Sequence, residues 1–151
     1  MFDSLRLEVD NIISDSDKSV NQRLLSICQL LEKHIGHYDW VGFYFRNGDK
    51  RELILGPYVG EATDHKIIPF GKGICGQVAL TNKNFLVSDV SEQDNYLACS
   101  MHVKSEIVIP IFVNNKNIGQ IDIDSHTANA FTANDENFLE YVCQQVAKIL
   151  E

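Results

Sequence analysis

Two alternating arms limit this fold more than any other feature of the chain. They are Ser105-Glu106-Ile107-Val108-Ile109-Pro110-Ile111-Phe112-Val113 and Asn117-Ile118-Gly119-Gln120-Ile121-Asp122-Ile123-Asp124-Ser125. Alternation of this kind marks strands whose two faces meet different surroundings. With Asn114-Asn115-Lys116 as a three-residue loop, Ile107 lies opposite Ile123 and Ile109 opposite Ile121, so one side is apolar. The other side carries Glu106 opposite Asp124, with Asp122 two residues along on the same face. A slip of one residue would put Glu106 among the isoleucines, so the apolar pattern itself selects the register.

An acidic sheet face has two readings. A solvated polar face carries the same pattern. Against that, like charges directly opposite destabilise a hairpin, and clustered carboxylates push at least one pKa upward, which suits a proton donor or a cation site. The acids offer hard oxygen ligands, yet their spacing matches no calcium-loop pattern, and the expectation is no metal and no cofactor.

The rest of the chain supplies more hairpins and flanking helices. Lys18 to His34 has helical periodicity, with Leu24, Ile27, Cys28 and Leu31 on one stripe and Gly36 as a stop. Trp40 to Phe45 and Glu52 to Leu55 flank Asn47-Gly48-Asp49 and read as a hairpin. Short strands are expected at Lys66 to Ile68 and Phe85 to Val87, with a short helix over Ile74 to Leu80 between them. A closing helix starts near Thr132, where Leu139, Val142, Cys143 and Val146 repeat at helical spacing. Hairpins between an opening and a closing helix favour an α+β fold, a central antiparallel sheet with helices packed on it. At 151 residues, 44% of them hydrophobic, the chain is expected to form one domain over residues 1–151.

Charge and leader signals narrow the partners. A net charge of −8 disfavours nucleic acid or an anionic membrane as the main partner, because both demand neutralising cations. The longest apolar stretch, Ile107 to Val113, is too short to span a bilayer. The opening Met1-Phe2-Asp3-Ser4-Leu5-Arg6-Leu7-Glu8 lacks the features of an export signal, so a reducing cytoplasm is expected. There the four cysteines are free thiols, catalytic thiols or metal ligands.

Cys28 and Cys143 sit on apolar helix stripes and read as small buried hydrophobes. Cys75 and Cys99 read as loop cysteines. Cys75 lies in Gly71-Lys72-Gly73-Ile74-Cys75-Gly76, near a helix N-terminus whose dipole favours the thiolate. Cys99 lies in Tyr96-Leu97-Ala98-Cys99-Ser100, between an irregular stretch and the acidic hairpin. Such a pair suits an attacking and a resolving thiol. A zinc set of Cys99, His102, His65 and Cys75 competes with this reading but has no Cys-x-x-Cys pair behind it. Gly71-x-Gly73-x-x-Gly76 with Asp89 matches a dinucleotide fingerprint, but the later strands form a hairpin rather than βαβ units, so the glycines are expected to serve a tight turn.

Several segments together resemble a known family. Tyr38-Asp39-Trp40-Val41-Gly42-Phe43-Tyr44, Leu55-Gly56-Pro57-Tyr58, Pro69-Phe70-Gly71-Lys72-Gly73-Ile74-Cys75-Gly76, Ala98-Cys99, Ser105-Glu106-Ile107-Val108-Ile109-Pro110 and Ile121-Asp122-Ile123-Asp124-Ser125 are similar to the free methionine (R)-sulfoxide reductases, stand-alone GAF-domain enzymes. The motifs keep the family's order and spacing from Tyr38 to the final helix. The resemblance implies a GAF-like sheet with N- and C-terminal helices on one face and a loop-covered pocket on the other.

It also implies roles. Cys99 falls at the catalytic cysteine and Cys75 at the resolving one, joined in the cycle as a disulfide. Glu106, Asp122 and Asp124 fall at substrate-site carboxylates, with Glu106 or Asp124 as proton donor and Asp122 beside the substrate ammonium. Trp40 and Tyr44 match pocket aromatics. The implied reaction reduces free L-methionine (R)-S-oxide, a thioredoxin-like dithiol restores the thiols, and a homodimer is the implied assembly. Many members carry a third cysteine ten residues before the resolving one, where this chain has His65, which suggests a two-cysteine cycle. The alternative expectation is a non-catalytic GAF sensor that binds an amino-acid-like ligand in the same pocket.

Overall fold

The structure, a computed structural model, describes residues 1–93 and 102–151. Helices α1 (Phe2–Ser14) and α2 (Val20–His34) open the chain, followed by strands β1 (Trp40–Arg46), β2 (Glu52–Val59) and β3 (Ile67–Pro69). Helix α3 (Gly73–Thr81), strand β4 (Phe85–Val87) and a 3₁₀ turn over Val90–Glu92 come next. Strands β5 (Ser105–Val113) and β6 (Lys116–Ser125) and helix α4 (Ala133–Ala147) complete it. The strands form one antiparallel sheet in the order β3-β2-β1-β6-β5-β4. Antiparallel pairing throughout leaves no βαβ unit for a dinucleotide, and Asp89 instead caps the 3₁₀ turn, accepting from the Ser91 N–H at 3.0 Å.

Local chemistry sets the helix ends. Ser19 accepts from the Gln22 N–H while the Gln22 side chain accepts from the Ser19 N–H, a reciprocal cap that starts α2. Thr132 and Asp135 do the same for α4, each cap contributing about 1 kcal/mol. Asp135 also accepts from the Tyr38 hydroxyl at 2.7 Å and contacts His37 Nε2 at 3.2 Å, which ties α4 to the start of β1. Helix α1 has no counterpart in the sequence expectations. Its buried residues Leu5, Val9 and Ile13 form a narrow stripe, and Phe2 stacks on Phe138 of α4. A stripe this thin becomes a stable helix only against the groove of α2 and α4.

The sheet separates two clusters of side chains. On one face Val41 and Phe43 of β1, Ile107, Ile109 and Ile111 of β5, and Ile121 and Ile123 of β6 pack against α1, α2 and α4. On the other, Trp40, Tyr44 and Val108 pack with Ile74, Cys75 and Val78 of α3.

The register expected for the acidic hairpin holds where it matters. Glu106 pairs with Asp124, Ile107 with Ile123 and Ile109 with Ile121. The turn differs: the loop is Asn114 and Asn115 alone, both at positive φ, and Val113 pairs with Lys116. Ile118 is then an extra residue between the pairs Ile111–Gly119 and Phe112–Asn117. This bulge restores the offset that a three-residue loop would have produced.

Candidate functional site

The acidic face lies across the middle of the sheet. Trp40 is opposite Asp124, Gly42 opposite Asp122 and Tyr44 opposite Gln120 on β1 and β6, while β5 brings Glu106 to Asp124 from the other side. Alternation sends all of these side chains away from the isoleucines. None is solvated: Glu106 is 2% exposed, and Asp122 and Asp124 are fully buried. Three carboxyl groups out of water overturn the reading of a solvated polar face, because burial of a charge without compensation is costly.

Proton retention relieves that cost. Burial, then the charges of Asp122 and Asp124, then hydrogen bonds to both hold the Glu106 carboxyl well above its ordinary value. Burial also raises Asp122, but hydrogen bonds from Glu106 and from the Cys75 thiol to its carboxylate pull the other way. Glu106, raised further, therefore holds its proton more firmly than Asp122. Glu106 Oε1 and Asp122 Oδ1 are buried and have no hydrogen-bond partner among the described residues.

Cys75 reaches this cluster from α3. Gly71 and Gly73 adopt positive φ, at 88° and 61°, so the strand-to-helix turn needs their lack of Cβ, as expected. The turn is closed by Gly71 N–H to the Gly76 carbonyl at 2.8 Å and Gly76 N–H to Lys72 at 2.9 Å. Cys75 is the third residue of α3 rather than a loop residue, and it is buried. Cys75 Sγ donates to Asp122 Oδ2 at 3.2 Å, and Gln120 Nε2 holds the Cys75 carbonyl at 3.1 Å. A cavity of about 10 Å³, one water in size, is lined by Cys75, Glu106, Asp122, His65, Lys72, Ile68, Gly73 and Ile74.

The two aromatic residues form a wall of the same face. Trp40 stacks on Tyr58 at 5.3 Å and on Tyr44 at 6.3 Å, and its indole N–H donates to the Glu61 carbonyl at 3.0 Å. The Tyr44 hydroxyl donates to the His65 carbonyl at 2.8 Å. A Cβ on Gly42 would lie 2.4 Å from the Trp40 ring, so glycine is what lets the indole lie flat across β1. Neither aromatic lines the small cavity.

Cys28 and Cys143 are buried on the helical face, and burial pushes both thiols strongly upward, so they stay protonated and inert. Cys99 lies outside the described residues. The segments flanking it are joined: Val90 N–H donates to the Lys104 carbonyl at 2.9 Å, and Lys104 N–H to Ser125 at 2.8 Å, immediately beside Glu106 and Asp124. Gln120 and Lys72 were not among the sequence candidates. Gln120 was legible in principle, since it shares the alternation of Asp122 and Asp124.

Comparison with known proteins relates the whole chain to proteins already described. The GAF domain family matches residues 17–151. The free methionine-R-sulfoxide reductase of Escherichia coli is 34% identical over 140 residues, covering 93% of this chain and 83% of that protein. Among solved structures, the free methionine-R-sulfoxide reductase of Neisseria meningitidis in complex with its substrate superposes with a TM-score of 0.92 at 29% identity, covering 98% of this chain and 87% of that one. The reduced form of fRMsr from Staphylococcus aureus gives 0.90 at 34% identity, covering 99% and 95%.

Proposed function

The chain belongs to the free methionine-R-sulfoxide reductase family of GAF domains, and from that premise we propose that it reduces free L-methionine (R)-S-oxide to L-methionine. It is an oxidoreductase. The observation that carries its chemistry is the hydrogen bond from the Cys75 thiol to Asp122 within a buried, partly protonated carboxyl cluster.

The Cys99 thiolate attacks the sulfoxide sulfur, and a carboxyl proton goes to the departing oxygen. Glu106 is the donor this reading favours, because burial and the charges of Asp122 and Asp124 hold its carboxyl well above the ordinary value. The oxygen passes to Cys99 as a sulfenic acid and methionine leaves. The Cys75 thiol then displaces it as water, forming a Cys75–Cys99 disulfide, so the two thiols supply the two electrons. Asp122 pairs with the substrate ammonium together with Asp124 while the substrate is bound, and once methionine has left it takes the Cys75 proton across the 3.2 Å contact. Trp40 packs against the substrate methyl group, with Tyr44 behind it. A thioredoxin-like dithiol returns the thiols in the cytoplasm, and residues 1–151 act as one domain, paired as a homodimer.

The test is turnover of the reduced protein on methionine sulfoxide, followed by free methionine and protein thiols. Stoichiometric loss of two thiols per methionine supports the cycle, and Cys99→Ser is expected to lower turnover at least a thousandfold while leaving the thermal melt unchanged. Binding without turnover would instead assign the pocket to a sensor. Wild-type rates in Cys99→Ser would remove it as the nucleophile.

A further inference from the structure

One atom each from Cys75, Glu106 and Asp122 lie within 4.8 Å of one another, all buried. Tetrahedral zinc with one sulfur and oxygen ligands needs ligand separations of about 3.6 Å. The observed Cys75 Sγ to Asp122 Oδ2 distance is 3.2 Å, so small side-chain rotations reach that geometry. An acidic cluster alone would not make a site, but here two of the oxygens are buried and unpartnered among the described residues: Glu106 Oε1 and Asp122 Oδ1. Buried acceptors without donors are sites for a proton or a cation. The thiol decides which cation, because a soft sulfur ligand selects zinc or cadmium over magnesium and calcium.

We propose that the reduced protein binds one zinc-group cation, Zn²⁺ or Cd²⁺, between Cys75 Sγ, a Glu106 oxygen and an Asp122 oxygen, the three-ligand set present among the described residues. Binding expels the thiol proton and the Glu106 proton to solvent, so affinity rises with pH. The site exists only in the reduced state, since oxidation of Cys75 removes the sulfur ligand. A bound cation therefore blocks the thiol and inhibits reduction rather than assisting it. The inference rests on the three ligand atoms and not on the sulfoxide reaction, so each stands or falls separately.

The experiment is titration of the reduced full-length chain with Cd²⁺, read by thiolate-to-metal charge-transfer absorbance in the ultraviolet, and with Zn²⁺ in competition with a chromogenic chelator. One equivalent is expected, unaffected by excess Mg²⁺ or Ca²⁺. Cys75→Ser should abolish the absorbance, and Glu106→Gln and Asp122→Asn should each weaken binding tenfold or more. Cys28→Ser and Cys143→Ser should leave it unchanged. Absorbance that survives Cys75→Ser, affinity unchanged in Glu106→Gln, or no binding by the wild-type chain would overturn the site. Glu106→Gln keeps the test decisive even if the cysteine variant fails to fold.

Discussion

Ile121 and Asp122 are neighbours in the chain, both fully buried, yet they belong to opposite kinds of interior. Ile121 faces the layer of α1, α2 and α4, where apolar side chains fill most of the space. Asp122 faces α3, where its carboxyl group meets the Cys75 thiol, and Glu106 Oε1 and Asp122 Oδ1 have no hydrogen-bond partner among the described residues. The comparison shows a division of labour. The apolar face supplies stability through close packing. The acidic face spends some of that stability to hold protons and oxygen acceptors where water would otherwise neutralise their effect.

The largest effect expected from breaking this division is on the apolar side. Ile121→Ala should cost 2–5 kcal/mol in denaturant unfolding, through lost transfer energy and a cavity against α4, estimated at about the usual range for a central core residue. A loss below about 1 kcal/mol would mean that the helical layer can collapse into the gap, and the contrast between the faces would weaken.

Next is chemistry on the acidic side. Glu106→Gln removes the proposed proton donor and should lower turnover by roughly a hundredfold or more, about 2.7 kcal/mol of barrier. Unchanged turnover in both Glu106→Gln and Asp124→Asn would show that the acid cluster takes no part in the reaction.

A smaller effect separates the cysteines. Cys143→Ser places a hydroxyl among apolar side chains, where Sγ donates to the Ile109 carbonyl at 3.6 Å, and should cost about 1–3 kcal/mol with turnover kept. Cys75→Ser should show the reverse, near-native stability with no sustained cycling. Equal behaviour of the two variants would dissolve the distinction between an inert and a working buried thiol.

The finest test is pH. Glu106 keeps its proton in the fold at pH values where the unfolded chain has lost it, because its folded value is well above the ordinary 4.5. Its contribution is therefore full below about pH 4.5 and is lost as pH rises through the folded value. Asp122 acts in the same sense. Asp135 acts in the opposite one: burial raises it, but hydrogen bonds from Thr132, Tyr38 and His37 outweigh burial, so its contribution is lost as pH falls below 3.8. Stability should decline as pH rises above about 4.5, and Glu106→Gln should flatten that decline and stabilise the chain at the alkaline end. A flat wild-type profile would mean that repulsion on the acidic face is relieved in another way.

Much of this was legible in the residues themselves. The alternation of Ile107, Ile109, Ile121 and Ile123 with Glu106, Asp122 and Asp124 sets the hairpin register and gathers the acids, since a one-residue slip would bury charge among isoleucines. The apolar stripes of α2 and α4 and their capping residues locate both helices through local hydrogen bonds alone. Helix α1 was not legible, because its thin stripe is stable only in the groove formed by other helices. The two-residue turn and its compensating bulge at Ile118 were also hidden, since both arms alternate equally well with either loop length.

What the sequence determined by itself is thus which side chains share a face, a property of backbone period. What only the tertiary structure decided is that the acidic face is dry, and that α3 lies across it to set Cys75 against Asp122, 47 residues away in sequence. Period is a local property written residue by residue, whereas the crossing of a helix over a sheet is settled by the packing of both surfaces at once.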